Sequence, residues 1–233
     1  MKALPELCDG HLDECGWVLA RSGLDEKMLE SLRSSAFEAG QAGKRCLLDI
    51  PTVNEAAIHL REVLVRLEIF QRAVAIQAIG FDKTEATNWK VAWHQDLMFP
   101  FAVPVTTSGF DLPVKKDGVD YARPPRSVLE CLLAVRLHLD DCDEANGPLR
   151  ICPGSHREGI IPGRAVPDYV AQRGEIMCPA TSGDLLLMRP LTLHASFQAT
   201  KPRRRRVLHF VYYSGPQLLE KWYREVEELS CNS

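Results

Sequence analysis

The sequence predicts a β-sandwich or barrel with helices packed on its outside. Two amphipathic helical patterns come first, a series of short extended apolar runs follows, and turn residues punctuate them. Fifteen prolines and fifteen glycines are spread along the 233 residues. Residues 24–37 carry Leu24, Met28, Leu32 and Ala36 at helical spacing behind a Ser22-Gly23 start signal. Residues 54–70 repeat the pattern, with Ala57, Leu60, Leu64 and Leu67 on one stripe and Asn54 as the expected cap. Extended runs follow at 73–81 and 89–96. In 128–140, Leu133, Val135, Leu137 and Leu139 face one way and Arg136, His138 and Asp140 the other. Residues 149–152, 185–188 and 206–213 complete the strands. DDCDEANGP, ending at Pro148, the Pro153–His156 segment and Gly183-Asp184 are turns. The stretch 108–126, rich in Gly, Pro, Lys and Asp, is expected to be an irregular loop and a mobile lid. Residues 218–229 are expected to form a terminal helix docked through Leu219, Trp222, Tyr223 and Val226. With no repeat or boundary visible, one domain is expected over 1–233, its core at about 16–213.

Composition narrows the function classes. Hydrophobic residues make up 45% and charged residues 25%, enough for a core and a hydrated surface. The net charge of −3 gives no basic excess of the kind nucleic-acid binding requires. No run approaches the roughly 18 to 20 apolar residues of a membrane span. The opening MKALPELCDGHLDE lacks the pattern of a secretory signal. Eight cysteines without a CxxC pair read as reduced thiols. The expectation is a cytoplasmic monomer or simple homo-oligomer acting on a small molecule.

Within Trp93-His94-Gln95-Asp96, strand parity turns His94 and Asp96 to one face and Gln95 to the other. His194 follows 98 residues past Asp96, after a Pro190-Leu191-Thr192-Leu193 segment. Two histidines and one carboxylate are the facial triad of non-haem iron(II) oxygenases, which leaves coordination positions open. An isolated HxD is weak, and the basic context strengthens it. A chelating keto acid needs an anchor for its far carboxylate. Arg205 on the following strand offers a bidentate fork, and Ser196 adds a hydroxyl. Arg203 and Arg204 read as a solvated charge run. Arg205 does not, because Val207, Leu208 and Phe210 draw this stretch inward.

These pieces together resemble the phytanoyl-CoA dioxygenase-like family of iron(II)/2-oxoglutarate oxygenases. The matching motifs are WHQD at 93–96, RLHLDDCDEANGPLRICPGSH at 136–156, GDLLLMRPLTLHAS at 183–196 and RRVLHF at 205–210. The resemblance implies a mainly β, double-stranded β-helix (jelly-roll, cupin-like) core with flanking N-terminal helices. It implies Fe(II) on His94, Asp96 and His194, and 2-oxoglutarate on Arg205, with help from Ser196 and Gln95. The reaction implied uses O2 and releases succinate and CO2, and a carboxylate at Asp96 favours hydroxylation or desaturation over halogenation. One departure stands out: Arg136 occupies a position where family members carry tryptophan. Arg136 and His138 either face the interior as substrate or cosubstrate contacts, or Arg136 pairs with Asp140 or Asp141 at the rim. His156 is expected to be structural. Two competing classes remain, a non-redox cupin-like metalloenzyme and a non-catalytic binding protein on the same fold. The first would not need Arg205, and the second would often have lost a metal ligand.

Overall fold

The computed structural model describes residues 7–38 and 40–226. The strands are β1 (Leu7–His11), β2 (Trp17–Arg21), β3 (Gly43–Lys44), β4 (Val74–Lys83), β5 (Val91–His94), β6 (Phe99–Phe101) and β7 (Asp111–Lys116). They continue with β8 (Val119–Arg123), β9 (Leu132–His138), β10 (Leu149–Ile151), β11 (Ile176–Cys178), β12 (Asp184–Met188), β13 (His194–Ser196) and β14 (Arg205–Tyr213). A major sheet in the order β1-β2-β12-β9-β14-β4-β3 accompanies a four-stranded sheet, β11-β10-β13-β5, and a small sheet, β6-β8-β7. All pairings are antiparallel.

Among the described residues, α-helical segments flank the strands: α1 (Leu12–Cys15), α2 (Glu26–Ala36), α3 (Pro51–Arg66), α4 (Arg126–Leu129) and α5 (Val166–Arg173). The two expected N-terminal helices are α2 and α3, with shifted starts. Asp25 caps α2, its carboxylate accepting the Met28 N–H at 2.8 Å. Pro51, with its fixed φ, opens α3 a turn before Asn54. Leu29, Leu32, Leu60, Val63 and Leu64 pack on the outer face of the major sheet, against Leu133, Val135, Leu137, Leu208 and Phe210. The alternation of β9 therefore decides the architecture. Its leucine face meets the helices, and its Arg136 and His138 face turns inward, toward the four-stranded sheet. Below them Trp17, Ala134, Leu149, Ile151, Leu186 and Met188 close the inter-sheet core.

Two expectations fail. Residues 108–126 form the β7–β8 hairpin and not an irregular loop. Asp117-Gly118 makes a two-residue turn with φ of 49° and 80°, the conformation that Asp-Gly adopts in hairpins. Val119, Tyr121 and Ala122 are buried, while β7 is largely exposed. Residues 218–226 are not helical: Trp222 bridges Phe101, and Val226 bridges Ala75. These extended pairings satisfy backbone groups at β4 and β6, and Leu219 is left 93% exposed, so the helical stripe has no face to bury. Positions 227–229 of that expected helix lie outside the described residues. No disulfide joins Cys15, Cys46, Cys131, Cys142, Cys152 and Cys178. Among the described residues, no helix is long and apolar enough to cross a membrane.

Candidate metal centre and its cationic surroundings

His94 ends β5 directly opposite His194, the first residue of β13, in antiparallel register. Their rings lie 4.1 Å apart between centroids. Asp96 follows two residues on, and its N–H donates to the Pro190 carbonyl at 2.9 Å. One carboxylate oxygen, Oδ1, then stands 3.8 Å from each histidine Nε2. One ligand atom from each of the three residues falls within 4.8 Å of the others. Sequence distance is thus removed by one strand pairing and one backbone hydrogen bond.

The histidine tautomers suit metal binding. Nδ1 of His94 donates to the Ala92 carbonyl and Nδ1 of His194 to the Thr192 carbonyl, each at 2.9 Å. A carbonyl only accepts, so Nδ1 carries the proton and the Nε2 lone pairs face one another. Burial pushes the His194 imidazole down to about 3, which keeps that lone pair available. Burial alone would raise the Asp96 carboxyl. His194, His209, His94 and Arg136 outweigh it and hold the group below its ordinary value. The second carboxylate oxygen, Oδ2, makes no hydrogen bond. Two neutral imidazoles and one carboxylate on one face are a donor set that fits iron(II).

Neighbouring turns hold the strands in place. Ser155 of the Pro153–His156 turn accepts the Leu193 N–H at 2.8 Å and donates to the Cys152 carbonyl at 2.7 Å. His156 bonds the Asp13 carbonyl at 3.2 Å, the structural role expected of it. Gly16, at φ 84°, lies where an added Cβ would come within 2.5 Å of both the His156 Nδ1 and the Thr192 Oγ1. The close approach of β2 to the His194 strand requires that glycine.

A second group of side chains surrounds the triad. Arg205 is buried, donating through Nη1 to the Gly147 carbonyl and, at 3.3 Å, to the Cys142 sulfur; its Nε has no partner. Lys83 lies opposite Arg205 in the β4–β14 register. Its Nζ donates to the Trp89 carbonyl at 2.7 Å and to the Ser196 hydroxyl at 3.1 Å. Burial, reinforced by Arg205 and Arg136, lowers Lys83 to about 8. Arg136 points inward as strand parity predicted, 3.1 Å from Nδ1 of His209 and over the Phe81 ring. The rim alternative fails, because Asp140 is engaged by Arg206 and Asp141 accepts the Ser182 N–H. His138 is buried with neither ring nitrogen partnered, and burial drops it to about 3.

Gln95 does not join the site. Its amide donates to the Gly159 and Leu191 carbonyls at 2.7 and 2.6 Å and accepts the Ile161 N–H at 2.9 Å. Its donors and acceptor are engaged by loop backbone, which leaves nothing for a cosubstrate. Arg203 and Arg204 stay outside, paired with Asp143 and Asp82.

Sequence reasoning missed Lys83 and His209. His209 Nε2 lies 3.7 Å from the Asp96 Oδ2, and burial takes its imidazole to about 4. Strand parity would have found it, since His209 shares a face with Arg205 four residues earlier.

Comparison with solved structures gives the same architecture. AviO1 from Streptomyces viridochromogenes Tue57 superposes with a TM-score of 0.62 at 17% identity, covering 90% of this chain and 94% of that one. EctD from S. alaskensis with bound Fe gives 0.65 at 17%, covering 91% and 77%. HygX from Streptomyces hygroscopicus, with nickel and 2-oxoglutarate bound, gives 0.60 at 16%, covering 88% and 85%. At such identities the likeness establishes the fold alone, a jelly-roll. No curated protein matches the sequence. The family described as phytanoyl-CoA dioxygenase (PhyH) matches residues 12–207, most of the chain including the triad and Arg205. The chain belongs to the phytanoyl-CoA dioxygenase family.

Proposed function

We propose that this chain is an iron(II)- and 2-oxoglutarate-dependent oxygenase that hydroxylates a small molecule. The observation that carries the reading is the pairing of a metal-ready His94–Asp96–His194 face with a buried, acid-free cationic group at Arg205 and Lys83. His94, Asp96 and His194 would hold the iron, and Arg205, Lys83 and Ser196 the far carboxylate of 2-oxoglutarate. Bound iron with 2-oxoglutarate and dioxygen supplies the oxidising power for C–H hydroxylation, with succinate and CO2 as coproducts. Asp96 occupies the ligand position with a carboxylate, which favours oxygen transfer over halide transfer.

The chain's own residues do three things in this scheme. Ala92 and Thr192 fix the ligand tautomers through their carbonyls. Gly147 orients the Arg205 guanidinium, leaving its Nε donor for a carboxylate. Phe81, under the Arg136 guanidinium, and buried Val207 give the inner face of the major sheet apolar surface that would limit water around the reacting carbon. The crystal structures of EctD with bound Fe and of HygX with nickel and 2-oxoglutarate bound support the cofactor assignment by analogy.

The test is anaerobic titration with iron(II) and then 2-oxoglutarate, followed by succinate release in air. One metal per chain and a cosubstrate-dependent visible band are expected. His94→Ala should lose tight metal binding. Metal binding with no response to 2-oxoglutarate would point instead to a non-redox cupin-like metalloenzyme.

A further inference from the structure

Buried guanidinia elsewhere in the protein meet carboxylates. Arg33 meets Glu26, Glu30 and Asp140, Arg150 meets Glu175, and Arg206 meets Asp140. Arg136, Arg205 and Lys83 are different. Their hydrogen bonds go to an imidazole, carbonyls, a thiol and a hydroxyl rather than to a carboxylate. Asp96, the carboxylate whose charge reaches Arg136, belongs to the triad. Unpaired buried cations are strongly unfavourable, so a protein that keeps three together has anions to receive.

The cofactors of the proposed reaction do not balance this charge. Iron(II) and 2-oxoglutarate cancel one another, so loading the site leaves two positive charges in excess, or one with Lys83 neutral. Position decides which cation stays unmatched. Arg205 and Lys83 face each other across one register of β14 and β4. Arg136 lies opposite His209, four residues further along β14. At about 3.3 Å per residue the two backbone positions are about 13 Å apart. A carboxylate held by Arg205 and Lys83 engages one end of that span, and Arg136 is rooted at the other, at the level of the metal ligands, where its guanidinium bonds His209 and His209 approaches Asp96. His138 sits on the same face of β9, two residues from Arg136, and as a neutral imidazole offers one donor and one acceptor.

We propose that the organic substrate carries an oxyanion, a carboxylate or a phosphate, and that it docks on Arg136 with the His138 N–H as a second donor. This inference rests on the oxygenase reading. Arg136 then becomes a specificity-determining residue, holding the substrate by its charged end beside the metal.

The experiment uses the full chain loaded with Mn(II) and saturated with 2-oxoglutarate. It is titrated by calorimetry and thermal melting with acetate and, separately, inorganic phosphate. One anion is expected to bind at one per chain and raise the melting temperature. Acetate doing so identifies a carboxylate, and phosphate a phosphoryl group. Arg136→Leu should weaken that anion at least tenfold and leave 2-oxoglutarate within twofold of wild type, while Arg136→Lys retains part of the binding. Free of metal and ligands, Arg136→Leu should melt above wild type, because an unpaired buried charge is gone. Saturated wild type binding neither anion would overturn the inference. So would an Arg136→Leu variant that loses 2-oxoglutarate rather than the added anion, since Arg136 would then serve the cosubstrate. Failure of metal-loaded wild type to bind 2-oxoglutarate is a separate result that overturns the oxygenase reading and this inference with it.

Discussion

His209 places its Nε2 3.7 Å from the oxygen of Asp96 that lies away from the two ligand imidazoles. It is a positioning residue for the carboxylate. His209→Leu is expected to weaken iron(II) about tenfold, the scale found when outer partners of ligands are removed. His209→Gln should recover part of that in the same titration, and equal affinity in all three proteins would leave His209 a packing residue. Arg205→Leu should weaken 2-oxoglutarate by a hundredfold or more with metal affinity kept, about 3 kcal/mol for a charge-assisted bond. Arg203→Ala should change little, because its pair with Asp143 is more than half exposed at both ends. A titration in which Arg203 matters and Arg205 does not would overturn that division. The grouping of His94, Asp96 and His194 and the inward, buried placement of Arg205 and Ser196 were legible because motif spacing and strand parity reach them. Lys83 was not, since a lysine at the end of an apolar run gives no sign that it turns inward. Gln95 was readable from parity alone, and the family likeness pulled the expectation the wrong way.

At the scale of elements, the strands with clean alternation were found in the sequence, and those specified by their partners were not. β9 carries one apolar face and follows from period two, and β14 reads as a nearly continuous apolar run from Val207 to Tyr213 broken at His209. β1 and β2 are short, and β2 is a strand because it completes the edge of β12. The Asp117-Gly118 turn was a readable hairpin signal hidden in a polar stretch. The segment after Tyr213 shows tertiary contacts overriding a helical pattern. Trp222 is 5% exposed, stacked 4.8 Å from the Phe101 ring and 5.3 Å from Tyr213. Trp222→Ala should therefore cost about 3 kcal/mol in urea unfolding. Leu219→Ala, at a side chain almost fully exposed, should cost under about 0.5 kcal/mol. Equal effects at the two positions would restore the docked helix.

For the whole molecule, a polar interior inside an apolar shell makes stability depend on acidity. His138, His194 and His209 are held neutral by burial, at about 3, 3 and 4. Unfolded, each would take up a proton near pH 6.5. Their folded values are depressed, so the unfolded state binds more protons between about pH 6.5 and 4, and stability falls as pH drops through that window. The metal-free protein should lose several kcal/mol between pH 7 and 5, read from urea midpoints. A flat profile would mean the three rings are solvated. One further consequence follows from β5. It is four residues long, lies at the edge of its sheet, and reaches β13 through two registered positions separated by an irregularity. So short a strand opens easily, and its amides should exchange with deuterium in minutes. A metal tying His94 and Asp96 to His194 would close a loop of roughly 100 residues, a crosslink worth about 4 to 5 kcal/mol of chain entropy if it acted as a covalent one does. Protection of Val91, Ala92 and Trp93 should then rise by orders of magnitude on loading, while the centre of β14 stays unchanged.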